Sequence, residues 1–146
     1  MKMPSKKVIL VEDNPADAEL TRLAYRDLPG KTELVHCFDG ESFFSLLPSL
    51  SLNDIQYILL DLNMPRMSGL DVLKKLQADE DWRRLPVIVL TSSMHTPDVV
   101  ASYDLGANAY VVKPLDLAEF DRAVQAIDQF WGKVNLRPFF SRSQWQ

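Results

Sequence analysis

Five short apolar runs recur along the chain, and each gives way to turn signals and then to a stretch with helical spacing. Lys7 to Val11 is the first and ends in Glu12-Asp13; Thr32 to Phe38 is the second. Ile55 to Leu60 ends in Asp61, Pro86 to Leu90 ends in Thr91, and Asn108 to Val112 ends in Lys113-Pro114. Runs one, three and four are apolar on successive residues, as strands buried on both faces of a parallel sheet require.

The intervening helices have readable ends. Asn14 can cap the first, Pro15 suits its first turn, and the 3.6 period runs from Ala16 to Leu28 before Pro29-Gly30 stops it. Ser68 or Gly69 opens a helix with Leu70, Leu73 and Leu76 on one face, and Thr96-Pro97-Asp98 opens another, with Gly106 where a C-terminus favours a left-handed residue. Asp116 begins the last, with Leu117, Phe120, Val124, Ile127 and Trp131 as a core-facing stripe. Strands alternating with helices imply right-handed crossovers and a doubly wound α/β fold: a five-stranded parallel sheet with helices on both faces. Residues 1–133 are read as this domain and 134–146 as a C-terminal extension holding Leu136, Phe139, Phe140 and Trp145 among arginines. Packing back on the domain and meeting another chain are equally open to that tail.

Composition adds exclusions. The chain of 146 residues suits one domain with a self-sufficient core. A net charge of −4 argues against a nucleic-acid surface, which needs basic excess. One cysteine, Cys37, can form neither an internal disulfide nor a thiolate metal cluster, and it reads as a small buried residue. No apolar run approaches the length of a membrane span and no leader pattern follows Met1, so the expected location is the cytoplasm.

The chemistry lies at the strand ends. Glu12 and Asp13, Asp61, Thr91 and Lys113 each directly follow an apolar run, and in a parallel sheet all those ends share one edge. Ligand sites of such folds form there, at the switch point of strand order; with order 2-1-3-4-5, one of the common orders, that point lies between Asp13 and Asp61. Converging carboxylates repel, and unless neutralised one would hold a proton near neutral pH. Lys113 offers one positive charge and a divalent cation two more. Oxygen-only donors select a hard ion such as Mg2+ (or Mn2+), with Asp13 and Asp61 as direct ligands, Asn63 through its backbone carbonyl and Glu12 through water. An aspartate beside such charges can act as a nucleophile and carry a phosphoryl group as a mixed anhydride, with Lys113 and the Thr91 hydroxyl offsetting charge on the phosphoryl oxygens. Taken singly, Asp13 is a helix cap, Thr91 a capping threonine, Lys113 a solvated charge and Asn63 a loop residue. Their joint placement after strands one, three, four and five is what is specific.

These segments resemble the receiver domains of two-component response regulators over about residues 5 to 133. The likeness is carried by Val8-Ile-Leu-Val-Glu-Asp-Asn-Pro15, by Leu60-Asp-Leu-Asn-Met-Pro-Arg-Met-Ser-Gly69, by Pro86 to Thr91 and by Gly106-Ala-Asn-Ala-Tyr-Val-Val-Lys-Pro114. It implies the flavodoxin-like fold of order 2-1-3-4-5, Asp61 as phosphoacceptor, Asp13 as the main acidic metal ligand, Thr91 and Tyr110 as paired switch residues, and a cis Lys113-Pro114 peptide. Phe130-Trp131, Ser102 to Leu105 and Asp81 to Pro86 are further similar to the small regulators paired with bacterial phytochromes. That narrower likeness implies no output domain, a sensor histidine kinase of the phytochrome type as donor, and a homodimer through the face of the fourth helix, fifth strand and fifth helix. Ser92 departs from the family pattern, in which alanine or glycine is commoner.

The expected function is thus a single-domain response regulator that signals by binding proteins once phosphorylated, a phosphoacceptor switch and not an enzyme in the ordinary sense. An intermediate carrier in a phosphorelay is the nearest alternative. A magnesium-dependent aspartyl-phosphate hydrolase is less favoured, because Asn63 stands where its acid is needed; a flavin carrier is disfavoured by the acidic first loop. His36 and His95 read as ordinary residues.

Overall fold

The computed structural model describes residues 6–30 and 32–140. Its strands are β1 (Lys6–Val11), β2 (Thr32–Cys37), β3 (Ile55–Leu60), β4 (Val87–Thr91) and β5 (Ala109–Val112). They form one parallel sheet in the order β2-β1-β3-β4-β5. The helices are α1 (Pro15–Arg26), α2 (Gly40–Leu46), α3 (Gly69–Gln77), α4 (Thr96–Asp104) and α5 (Leu117–Ile127), and a π-helical segment, Asp128–Val134, continues α5.

Successive strand residues point to opposite faces, which divides the core in two. Ile9, Val11, Ile58, Leu60, Val87 and Val89 face α2 and α3, where Phe43, Leu47, Val72, Leu73 and Leu76 meet them. Val8, Leu10, Tyr57, Leu59, Ile88 and Leu90 face α1 and α5, against Ala18, Tyr25, Phe120, Val124 and Ile127. Each large side chain so buried contributes about 1.5–3 kcal/mol, so both layers hold the sheet rigid beneath the loops at its C-terminal edge.

The helix ends follow their local chemistry. Asn14 Oδ1 accepts from Asp17 N at 3.0 Å to cap α1, and Ser68 and Asp71 close a reciprocal capping box on α3. Asp116 caps α5, and Gly106, at φ 97°, lets the chain leave α4. Helix α2 follows the second run, where a helical stretch is expected but neither end of it is readable. It is short, begins at a poor helix former, Gly40, and depends on Asp39, whose Oδ1 accepts from Ser42 N at 2.7 Å. Leu117 is a correction: it is 58% exposed on the first turn of α5, outside the core-facing stripe.

After the π-helical segment the chain folds back on its own domain. Phe140 N donates to Asn53 Oδ1 at 2.7 Å, Asn53 Nδ2 donates to the Phe140 carbonyl at 2.8 Å, and Arg137 Nη1 donates to the Ile55 carbonyl at 2.9 Å. The Phe140 ring packs on the α2–α3 core and lies beneath the Arg84 guanidinium at 4.8 Å. So far as it is described, the extension packs back; Leu136 and Phe139 stay exposed, and Trp145 lies outside the described residues. The start of that segment is pinned by Asp128, which accepts from Tyr57 Oη at 3.0 Å and pairs with Lys133 at 2.9 Å. Among the described residues, no helix is long and apolar enough to cross a membrane.

Candidate phosphoacceptor and metal site

The sheet ladder does not stop at the strand ends, and this places the site. Glu12 N donates to the Cys37 carbonyl at 3.1 Å, Asp61 N to the Val11 carbonyl at 3.1 Å, and Lys113 N to the Thr91 carbonyl at 2.8 Å. The backbones of Glu12, Asp61 and Lys113 are therefore fixed by neighbouring strands, although each lies one residue beyond its own. His36 adds a tie: its Nε2 stands 2.8 Å from the Glu12 carbonyl. A carbonyl only accepts, so that nitrogen carries the proton.

The ligand atoms of Glu12, Asp13 and Asp61 lie within 4.8 Å of one another. Lys113 Nζ donates to Glu12 Oε1 at 2.6 Å and to Asp17 Oδ2 at 2.9 Å, and stands 3.7 Å from Asp61 Oδ2. Beside them opens a cavity of about 390 Å³, lined among others by Asp13, Asp17, Asp61, Asn63, Ser92 and Lys113. Thr91 is fully buried at the end of β4, its Oγ1 facing Ser93 N at 3.5 Å. Tyr110, half-buried on β5, donates from its hydroxyl to the Ser93 carbonyl at 2.9 Å.

Gly69 explains how the loop after β3 closes so tightly. Its N–H donates to the Leu62 carbonyl at 3.0 Å, and a Cβ there would run into the Asp61 carbonyl oxygen and stand 2.7 Å from Leu62 Cα. Only glycine lets the start of α3 approach the Asp61 backbone so closely.

One ammonium does not balance these carboxylates. Burial pushes the Glu12 carboxyl up to about 7, against the pull of Lys113 and with the help of Asp61. Burial also works against the Lys113 charge, but Glu12, Asp17 and Asp61 outweigh it and hold Lys113 above the ordinary lysine value. The remaining negative charge calls for a cation. Asp61 Oδ1 is buried with no hydrogen-bond partner, and a buried carboxylate oxygen left so is costly. Clustered carboxylates with no sulfur or nitrogen donor among them fit Mg2+ or Mn2+.

Of the expected residues, Asp13, Asp61, Asn63 and Lys113 line the cavity, Glu12 clusters with Asp13 and Asp61, and Thr91 is buried at the end of β4, next in the chain to the lining residue Ser92. The cis Lys113-Pro114 peptide is corrected, since no described peptide bond is cis. Nothing in the residues themselves demanded it, and trans is the lower-energy form even before proline. Asp17 was not anticipated. Its sequence signal was position: four residues after Asp13, it sits on the first turn of the helix that follows the acidic loop.

Comparison with known proteins agrees with this geometry. The family model for the response regulator receiver domain matches residues 8–125. The chain is 36% identical over 132 residues to the response regulator Rcp1 of Synechocystis sp. PCC 6803, covering 88% of this chain and 90% of that protein. It is similar to the crystal structure of the phosphorylated cyanobacterial phytochrome response regulator RcpA, at TM-score 0.85 and 34% identity over 92% of this chain and 99% of the other. It is also similar to the Mn2+-bound form of Rcp1, at TM-score 0.81 and 34% identity over 92% and 99% of the two chains. The strand order, the acidic edge and these likenesses place the chain in one family: it belongs to the response regulator receiver domains of two-component signalling.

Proposed function

We propose that Asp61 is the residue through which this receiver domain takes a phosphoryl group, and that the phosphorylated form signals by altered protein binding. The observation that carries the reading is Asp61 itself: buried, with Oδ1 unpartnered, 3.7 Å from the Lys113 ammonium and on the wall of an open cavity. An Asp61 carboxylate oxygen forms a bond to phosphorus as the donor's bond to phosphorus breaks, and the donor leaves with the electron pair. With a sensor histidine kinase the bond broken is phosphorus to imidazole nitrogen. Lys113 neutralises part of the growing charge, and the buried Thr91 hydroxyl donates to a phosphoryl oxygen. Asp13 and Asp61 directly, Asn63 through its carbonyl and Glu12 through water would hold Mg2+ or Mn2+. That cation, when bound, offsets charge on the acceptor and the transferred oxygens.

Thr91 moving toward those oxygens disturbs the loop that Tyr110 reaches through Ser93, and this couples the site to the face of α4, β5 and α5. Val100, Tyr103, Val112 and Leu117 are exposed on those elements, an apolar face that suits a second copy of the chain. The structural relative RcpA is a phytochrome response regulator, and a phytochrome-type histidine kinase is the donor we infer here. On this reading residues 1–133 form the working unit, and the protein is a switch that assists its own phosphorylation and slow dephosphorylation.

Incubation with acetyl phosphate and Mg2+, read by phosphate-affinity electrophoresis, tests the reading. One slower-migrating species, abolished by EDTA, is expected; no shift under any condition contradicts it.

A further inference from the structure

Asp17 lines the cavity yet has no task in the chemistry above. Its N–H is held by Asn14 Oδ1 at 3.0 Å, and its carbonyl accepts from Thr21 Oγ1 at 2.8 Å, so its backbone is fixed in the first turn of α1. From there the carboxylate accepts from Lys113 Nζ at 2.9 Å, while Nζ stays 3.7 Å from Asp61, beyond hydrogen-bond reach. Two of the three ammonium donors are thus engaged by Glu12 and Asp17, and neither of these bonds goes to Asp61. The Glu12 side chain is 2% exposed and the Asp17 side chain 35%, so the bond to Asp17 is the better hydrated and the readier to yield.

We propose that Asp17 is a positioning residue that holds the Lys113 ammonium back from Asp61 and so restrains phosphoryl acceptance. The inference rests on Asp61 being the acceptor. With acetyl phosphate as donor, an Asp61 oxygen forms the new bond to phosphorus, the bond from phosphorus to the acetate oxygen breaks, and acetate leaves with the electron pair. Negative charge grows at residue 61 and Lys113 must follow it. Asp17 opposes that shift through its own bond, and its charge at the cavity wall also repels an anionic donor. A plainer role, an acid favoured by the dipole at a helix N-terminus, would make no demand on Lys113.

The test uses the whole chain with acetyl phosphate and Mg2+, followed by intact mass against time. The variants are Asp17→Asn, Asp17→Glu and Glu19→Gln; the last removes the same charge from the exposed side of α1, where Glu19 pairs with Arg22. Asp17→Asn is expected to be phosphorylated roughly threefold faster than wild type, with Asp17→Glu and Glu19→Gln close to wild type. Relaxation of the Lys113 15Nζ signal in metal-free protein should show a more mobile ammonium in Asp17→Asn alone. A labelled wild type with Asp17→Asn unchanged, slower or matched by Glu19→Gln overturns this inference alone, as does an unaltered Lys113 signal. A wild type that takes no label at all overturns the Asp61 reading and this inference with it.

Discussion

The Tyr110 hydroxyl donates to the Ser93 carbonyl at 2.9 Å and so ties β5 to the loop that leaves Thr91. Tyr110→Phe removes this bond and keeps the ring, and urea unfolding should show a loss of about 1 kcal/mol. Tyr110→Ala should leave phosphoryl acceptance intact and change affinity for a partner or second copy. Equal affinity of phosphorylated wild type and Tyr110→Ala would remove Tyr110 from the switch.

Gly69→Ala tests the close approach beside Asp61. Its new methyl meets backbone, at the Asp61 carbonyl oxygen and at Leu62 Cα, and not the flexible end of a side chain. Stability should fall by about 1–3 kcal/mol, with slower phosphorylation because the Asp61 backbone has moved. Wild-type values in both assays would show that the loop relaxes without cost.

Cys37 should be chemically silent in the folded protein. It is buried, and burial with the nearby Asp39 pushes its thiol up to about 11 from an ordinary 9.0. The folded state thus holds the thiol proton more tightly than the unfolded state. The resulting stability is full below pH 9 and is lost as pH rises toward 11. Iodoacetamide at pH 8.5 should label urea-unfolded protein and spare native protein, and Cys37→Ala should lose less stability than wild type between pH 9 and 11. Rapid labelling of native protein would contradict the burial.

Asn53 holds the C-terminal segment through two bonds to the Phe140 backbone. Asn53→Ala should speed amide exchange across residues 135–140 while leaving β1, β3 and the loop after Asp61 unchanged in hydrogen-exchange mass spectrometry. No change would mean that Arg137 and the Phe140 ring suffice to hold the segment.

Much of the site was legible because strand ends are legible. A parallel sheet sends every run to one edge, so Glu12, Asp13, Asp61, Thr91 and Lys113 could be placed together before any distance was known. Asp17 was hidden because its partner lies 96 residues away and its spacing also suits an ordinary acid in a helix's first turn. The start of helix α2 was hidden by Gly40, where the Asp39 cap and the burial of Phe43 and Phe44 override propensity. The return of the tail to Asn53 and Ile55 joins distant residues by backbone bonds that no periodicity encodes. Leu117 followed the helical stripe on paper but falls on the first turn, before α5 has packed down on the sheet.

The central claim is that Asp61 is the phosphoacceptor. Wild type and Asp61→Asn, each incubated with acetyl phosphate and Mg2+, are compared by intact mass. Wild type should gain one phosphoryl group and Asp61→Asn none, with circular dichroism showing both folded. Equal labelling of a folded Asp61→Asn would contradict the account.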